Sequence, residues 1–156
     1  MVMVLGDSPG QSKIAATDSE SNLLTDIERL DYLFTNGQRF EATVAQMALI
    51  EALLLFYLKA KIQSEGAKVK EDLEKLHKNR KLTFGKVKDI VIKNNVLHDE
   101  AIKPDLVKYV SYRNDLAHNL IGSFSSVDLD DFYARGQRLA DFFHAYLLLI
   151  VKHHNR

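Results

Sequence analysis

The sequence predicts an all-α fold, an antiparallel bundle of four to five helices. Apolar residues recur at helical spacing over most of the chain, and no useful length of sequence alternates apolar and polar residues as a half-buried strand would. The 156 residues are 46% hydrophobic and include no cysteine, so one core must form without disulfides. We expect a flexible tail at residues 1–20 and a single helical domain at residues 21–156.

The first two helices meet at a predicted turn. From Leu23, apolar residues follow helical spacing and stop at Asn36 and Gly37, a pair that favours a left-handed C-terminal cap. A long second helix is predicted from Gln38 to about Gln63. Its core face is expected to comprise Phe40, Val44, Met47, Ala48, Leu55, Leu58 and Ile62.

Residues 47–58 of the second helix are apolar on nearly every side. Gln46 and Glu51 interrupt the hydrophobic run, which we therefore expect to be too short to cross a membrane. A second copy of the chain would cover two apolar faces most simply, so the sequence predicts a homodimer. Glu51 falls within the apolar stripe, where it is either solvated in a wet dimer seam or pairs with a guanidinium such as that of Arg113.

Shorter helices are predicted in the next part of the chain. Residues 67–82 suit a short charged helix followed by a turn. Thr83 is the expected N-cap of a further helix that ends at Asn94 and Asn95. Pro104 then occupies a favourable first position of a helix. The apolar stripe of that helix is predicted to be Leu106, Val107, Val110 and Leu116 or Ala117.

The last predicted helix begins at an acidic segment. Asn119 and Gly122 are expected to stop the preceding helix. The carboxylates at residues 128–131 favour a helix start, because negative charge is stabilised at the positive end of the helix dipole. This helix continues to about His153, and residues 139–151 are again apolar nearly all round, which repeats the argument for a dimer.

The charge of the chain is balanced overall but uneven along its length. Basic and acidic side chains number 21 each, so the net charge indicates no class of partner. Residues 59–93 are locally about +6, which suits either a nucleic-acid backbone or a solvated helix surface. The N-terminus resembles no signal peptide, so we expect a cytoplasmic protein. We expect neither a structural metal nor a cofactor, because the sequence contains no glycine-rich phosphate loop and no zinc-binding helix motif.

The densest group of catalytic side-chain types lies at residues 110–119, near a predicted helix end. Arg113 and His118 point about 140° apart on a straight helix and would not share a face. Asn114 and His118 are four residues apart and do share one, so the carboxamide can hydrogen-bond the imidazole. Arg113 must therefore reach round the helix, the helix must break, or the two groups must meet across a dimer axis.

This pattern resembles the HEPN superfamily (higher eukaryotes and prokaryotes nucleotide-binding domain), all-α proteins with an Arg-x(4–6)-His motif. The resemblance covers about residues 21–156, and Asn114 provides the polar residue that commonly follows the arginine in ribonuclease members. It implies a dimer that cleaves RNA without metal, through attack by the ribose 2′-OH, leaving 2′,3′-cyclic phosphate and 5′-OH ends. By position, His118 is implied as the acid–base group, Arg113 as the group that stabilises phosphorane charge, and Asn114 as the residue that positions them.

Other residues extend or limit the resemblance. A second pair, Arg138 and His144, also has the family spacing, but the residue after this arginine is Leu139 and the neighbours are apolar. We interpret it as a chance match inside the last helix. Leu120 stands where some family toxins carry a tyrosine that a nucleotidyltransferase modifies, so that mode of control is not supported. The residues expected to support the site or to contact RNA are Glu51, Arg80, Tyr112 and Asp115.

The sequence leaves two functions open. One is a metal-independent endoribonuclease, acting as a toxin or a phage-defence effector with an antitoxin as a possible partner. The other is a non-catalytic helical module that binds a nucleotide or a partner protein such as a nucleotidyltransferase. In the second case His118 would be only a capping residue at a helix C-terminus.

Overall fold

The computed structural model describes residues 11–65, 67–118 and 127–154. Within these ranges the chain forms six α-helices and no strand. The helices are α1 (Gln11–Thr35), α2 (Arg39–Glu65), α3 (Ala67–Lys78), α4 (Phe84–Lys93), α5 (Ile102–His118) and α6 (Leu129–His154). The all-α prediction is confirmed, although the described part of the chain holds six helices where four to five were predicted.

Most described helix ends follow the predicted capping residues. Gly37 closes α1 with a φ of 89°, a conformation that glycine adopts at little cost. The Thr83 hydroxyl accepts a hydrogen bond from the Lys86 amide at 3.4 Å and caps α4 as predicted. Before α6, Asp128 Oδ1 accepts a hydrogen bond from the Asp131 amide at 3.1 Å. These caps join residues close in sequence, which is why the sequence could predict them.

The start of α1 differs from the prediction. The helix begins at Gln11, so the predicted boundary between tail and domain at residue 20 lies inside it. Residues 1–10 lie outside the described residues, as do the predicted helix stop at Asn119 and Gly122 and the position of Leu120.

Helices α2 and α6 run side by side in the same direction. Near their starts, Gln46 Nε2 donates a hydrogen bond to the Tyr133 carbonyl at 3.0 Å. Further along, the rings of Tyr57 and Tyr146 meet edge to face with centroids 4.5 Å apart. Three helices lie between α2 and α6 in the sequence, which lets the chain return in the same direction. The predicted antiparallel arrangement therefore does not apply to this central pair.

The core face of α2 also differs from the predicted one. Val44 is 41% exposed, and Ala48 and Glu51 are exposed as well. The residues turned inward are Ala42, Thr43, Gln46, Ile50, Leu54, Tyr57 and Leu58. The prediction is confirmed for Leu58, which is buried, and Met47, Leu55 and Ile62 pack against the core. It is wrong for Val44 and Ala48, because α2 is apolar on two sides and periodicity alone cannot tell which side the other helices cover.

Helix α2 has the length and composition of a membrane-crossing segment over Arg39–Ile62. Gln46 and Glu51 were expected to leave its apolar run too short to cross a membrane. By length and composition alone, that expectation is not met. The inward face of the same helix packs against core residues from other helices, as expected of a central bundle helix.

A buried carboxamide joins three helices at the centre of the bundle. Gln46 is 2% exposed, and its Oε1 accepts a hydrogen bond from the Tyr109 hydroxyl of α5 at 3.1 Å while its Nε2 donates to Tyr133 of α6. Gly136, one turn further along α6, leaves room for this contact, since a Cβ there would overlap the Gln46 carboxamide. Because a buried polar group without a partner costs about 1–3 kcal/mol, these bonds set the relative positions of α2, α5 and α6.

Replacing Gly136 with alanine should destabilise the protein. The new methyl group displaces the Gln46 carboxamide from both hydrogen bonds, so we expect Gly136→Ala to lower the free energy of unfolding by about 1–3 kcal/mol in urea denaturation followed by circular dichroism. The matched control is Gly85→Ala in α4, where no atom lies within 4 Å of the added Cβ. This control should be neutral or stabilising by up to about 1 kcal/mol, and an equal loss in both variants would contradict the role of Gln46.

Candidate functional site

Helix α5 carries the Arg–His motif and is capped at its start by Asp99. The Asp99 carboxylate accepts hydrogen bonds from the amides of Ala101 at 2.8 Å and Ile102 at 3.3 Å. Pro104 is therefore the third residue of α5 instead of the predicted first. It is tolerated there because the first turn of a helix does not use its N–H groups for intrahelical bonds.

The buried side of α5 leads directly to the motif. The inward apolar residues are Ile102, Leu106, Tyr109, Val110 and Leu116, whereas the predicted stripe member Val107 is 46% exposed. Arg113 is four residues after Tyr109 and three before Leu116, so it lies on the buried side of the helix. Its half-buried side chain extends the core stripe with a guanidinium group.

His118 is the last residue of α5 and is exposed, on a different side of the helix from Arg113. Arg113 Nη1 donates a hydrogen bond to Asn114 Oδ1 at 3.3 Å, and Asn114 precedes His118 by one helical turn. No hydrogen bond joins the described side chains of Arg113 and His118, and Arg113 Nη1 is bonded to Asn114 instead. Asn114 therefore contacts the arginine and lies on the same side as the histidine, but within one chain Arg113 does not reach round to His118.

Tyr112 ties the motif to α6. Its hydroxyl donates a hydrogen bond to Asp131 Oδ2 at 2.6 Å, and its ring stacks on Phe132 with centroids 5.3 Å apart. The hydrogen bond to Asp131 is the main cause that raises the pKa of Tyr112 to about 12. Tyr112 is therefore protonated near neutral pH and holds α5 in place instead of acting as a base.

A cluster of charged residues joins α5 to α6 further from the motif. Asp105, only 7% exposed, accepts two hydrogen bonds at 2.8 Å from the Arg138 guanidinium and one at 3.0 Å from Arg135. Arg135 also donates to Asp131 at 3.0 Å, so the cluster continues to Tyr112. The hydrogen bond from Arg138 is the largest cause that lowers the pKa of Asp105.

This cluster explains the second Arg–His pair in the sequence. Arg138 uses its guanidinium to hold Asp105 across the helix interface, and His144 is half-buried further along α6. The contacts of Arg138 are those of a residue that fixes two helices together.

The structure places the remaining predicted site residues apart from one another. Glu51 is exposed on α2, and it points about 140° away from Gln46, which faces α5. The expectation that Glu51 pairs with Arg113 is therefore not met within one chain. Asp115 is exposed on α5.

Arg80 lies toward the end of α5 that carries Arg113 and His118. It is exposed in the turn before α4 and has a φ of 54°. Phe84, at the start of α4, meets the Tyr109 ring edge to face at 6.4 Å, and the end of α4 at Ile92 lies beside Lys103 near the start of α5. Since α4 thus runs antiparallel to α5, the turn that contains Arg80 lies toward the C-terminal half of α5.

Sequence reasoning missed the cluster of Asp105, Arg135 and Arg138. One signal was present, because Asp105 lies beside Leu106 and one turn before Tyr109, at the edge of the apolar stripe. A carboxylate in such a place requires a cationic partner. Which arginines supply it depends on the packing of α5 against α6, which the sequence does not display.

Comparisons of the chain with models of known protein families, with curated proteins and with solved structures returned no significant match. The functional argument therefore depends on the residues of α5 and their surroundings. Among the described residues, no group of three or more His, Asp or Glu side chains is arranged to hold a metal ion.

The charged cluster should make stability depend on acid pH. The pKa of Asp105 is lower in the folded protein than in the unfolded chain, so its contribution is complete above about pH 4 and is lost as the pH falls through the folded-state pKa. We expect the free energy of unfolding to decrease below about pH 4 in urea denaturation, and Asp105→Asn to weaken this dependence. At neutral pH the same variant should lose about 1–3 kcal/mol, because Arg138 loses the carboxylate that it binds and Arg135 loses one of its two.

The matched control is Asp141→Asn on the exposed side of α6. It should leave both the stability at neutral pH and the acid dependence close to those of the unmodified protein. An Asp105→Asn variant with an unchanged acid profile would show that Asp105 does not contribute as described.

Proposed function

We propose that the protein is a metal-independent endoribonuclease of the HEPN type, acting as a toxin or a phage-defence effector. The observation that carries this proposal is the arrangement at the end of α5, where exposed His118 follows Asn114 by one turn and Asn114 is bonded to Arg113. A proton-transfer group, a carboxamide and a cation are the groups that phosphodiester cleavage by transesterification requires.

In the proposed reaction the ribose 2′-OH attacks the adjacent phosphorus. The O2′–P bond forms and the P–O5′ bond breaks, which leaves a 2′,3′-cyclic phosphate and a 5′-OH. His118 exchanges the protons that leave the 2′-OH and reach the O5′ atom, and Arg113 stabilises the charge that develops on the phosphoryl oxygens. The reaction requires no metal-bound water, because the nucleophile belongs to the RNA itself.

The proposed site is shared between two copies of the chain. Arg113 and His118 of one copy point about 140° apart on α5, which favours a site that takes one group from each copy. Two α5 ends related by a two-fold axis would place the arginine of one copy opposite the histidine of the other. Exposed apolar residues that a second copy could cover are Val44 and Phe56 on α2 and Leu149 on α6.

Removing either motif residue should abolish cleavage. We expect His118→Ala and Arg113→Ala each to lower the cleavage rate by at least about a hundredfold, because proton transfer or charge stabilisation is lost. The measurement uses purified protein with transfer RNA and messenger RNA in the presence of EDTA, and product ends are tested for cyclic phosphate.

Matched controls for these variants are His77→Ala on α3 and Arg29→Ala on α1, both at exposed positions. They should retain the cleavage rate within about twofold. Cleavage that survives His118→Ala, or that stops equally in the His77→Ala control, would contradict the assignment.

Mixing the two inactive variants should restore activity. If each site takes Arg113 from one copy and His118 from the other, a dimer of one Arg113→Ala and one His118→Ala chain contains one intact site. After the chains are allowed to exchange, about a quarter of the activity should return. If subunit exchange is verified by mass spectrometry and no activity returns, the shared site is excluded.

The second candidate function is a non-catalytic module that binds a nucleotide or a partner protein such as a nucleotidyltransferase. The half-buried Arg113 bonded to Asn114 favours it, because such an arginine can serve the packing of α5 alone. Expression in cells separates the two functions. An endoribonuclease toxin should arrest growth, and Arg113→Ala should relieve the arrest without reducing protein level.

A further inference from the structure

A groove runs along the exposed side of α5, beside the end of α4. It is shallow and largely open to solvent, with a volume of about 530 Å³. Its apolar lining comprises Ile92, Pro104 and Val107, and its polar lining comprises Glu100, Lys103, Lys108 and Ser111. Val107 is 46% exposed, so the groove offers an apolar surface that the rest of the described chain does not cover.

The groove lies on the same side of α5 as His118. Exposed residues recur along this side every three or four positions, at Pro104, Val107, Lys108, Ser111, Asp115 and His118. Ser111 precedes His118 by seven residues, which corresponds to about 10 Å along the helix axis. A stacked nucleic-acid strand advances about 3.4 Å per nucleotide, so about three nucleotides would cover that distance.

The charges around the groove favour an anionic ligand. Lys103 Nζ is bonded to Glu100 at 2.6 Å and also to Asn95. Lys108 Nζ lies 4.7 Å from the centre of the Tyr112 ring, and no described carboxylate forms an ion pair with it. Of the charged residues that line the groove, Glu100 and Lys103 therefore neutralise each other, and Lys108 leaves a net charge of +1. An apolar protein partner would desolvate the Lys108 ammonium without pairing it, whereas a phosphate would pair it.

We propose that this groove is a nucleotide subsite for single-stranded RNA. A base packs on the apolar side chains of Pro104 and Val107, and Lys108 pairs with a neighbouring phosphate. The assignment of the ligand as RNA rests on the proposed endoribonuclease function. The bound nucleotide lies about three nucleotides from the phosphodiester that His118 cleaves. The groove therefore favours RNA that is single-stranded and long enough to reach it.

Binding of labelled RNA tests the groove directly. His118→Ala protein is titrated against fluorescein-labelled oligonucleotides of two and six nucleotides, and fluorescence anisotropy gives the affinity. The longer RNA should bind more tightly, because only it reaches the groove. Val107→Glu and Lys108→Glu, each added to His118→Ala, should weaken the binding of the longer RNA by about tenfold and leave the shorter RNA unaffected.

Two controls match these substitutions in exposure and charge. Leu24→Glu on α1 replaces an apolar side chain that is 44% exposed, and Lys152→Glu on α6 makes the same change of charge as Lys108→Glu. Both should change the affinity for the longer RNA by less than about twofold at physiological salt. Equal weakening in the controls, or unchanged binding in the groove variants, overturns the proposal.

The remaining outcomes separate the groove from the proposed cleavage. Groove-dependent binding of RNA by a protein that cleaves no RNA supports the groove and overturns the endoribonuclease. If cleavage requires His118 but substitutions at Val107 and Lys108 leave the RNA affinity unchanged, the role of the groove is overturned and the proposed cleavage is not. A change of oligomeric state in Val107→Glu, measured by light scattering, with no change in RNA affinity, identifies the groove as a contact between copies and overturns the proposal.

Discussion

The ion cluster centred on Asp105 determines how α5 lies against α6, and the candidate site depends on that orientation. Arg138 and Arg135 of α6 hold the Asp105 carboxylate, and Asp131 of the same helix receives both Arg135 and the Tyr112 hydroxyl. Helix α5 is thus fastened at two points, Asp105 and Tyr112, seven residues apart. Buried charges are costly unless paired, so a rotation of α5 would break several charge-assisted bonds at once.

The contacts of Asp105 and Tyr112 with α6 determine the directions in which the motif residues point. With Tyr112 held by Asp131, the next residue, Arg113, continues the buried stripe, and His118 at the helix end is exposed. The divergence of the guanidinium and the imidazole follows from the five-residue spacing of Arg113 and His118 on one helix. The exposed side of α5 that carries His118 also carries Lys108 and Val107.

Part of this arrangement could be predicted from the sequence. Helix caps at Thr83 and at Asp128 were predictable because each joins residues within three positions of one another. The shared side of Asn114 and His118 was predictable from helix geometry alone. Of the two alternatives for Glu51, pairing with Arg113 does not occur within one chain, because the bundle buries the side of α2 that carries Gln46 and leaves Glu51 exposed.

The sequence by itself determined the helical class, most helix ends and the residues from which the candidate site is built. Those properties depend on spacing and on contacts within about one helical turn. Only the tertiary structure decided which face of α2 is buried, which arginines hold Asp105, and that Val107 borders an open groove. These outcomes depend on contacts between residues such as Asp105 and Arg138, or Gln46 and Tyr109, that lie far apart in the chain. No local pattern encodes such pairs, because each helix alone could rotate or slide until the packing of the others stops it.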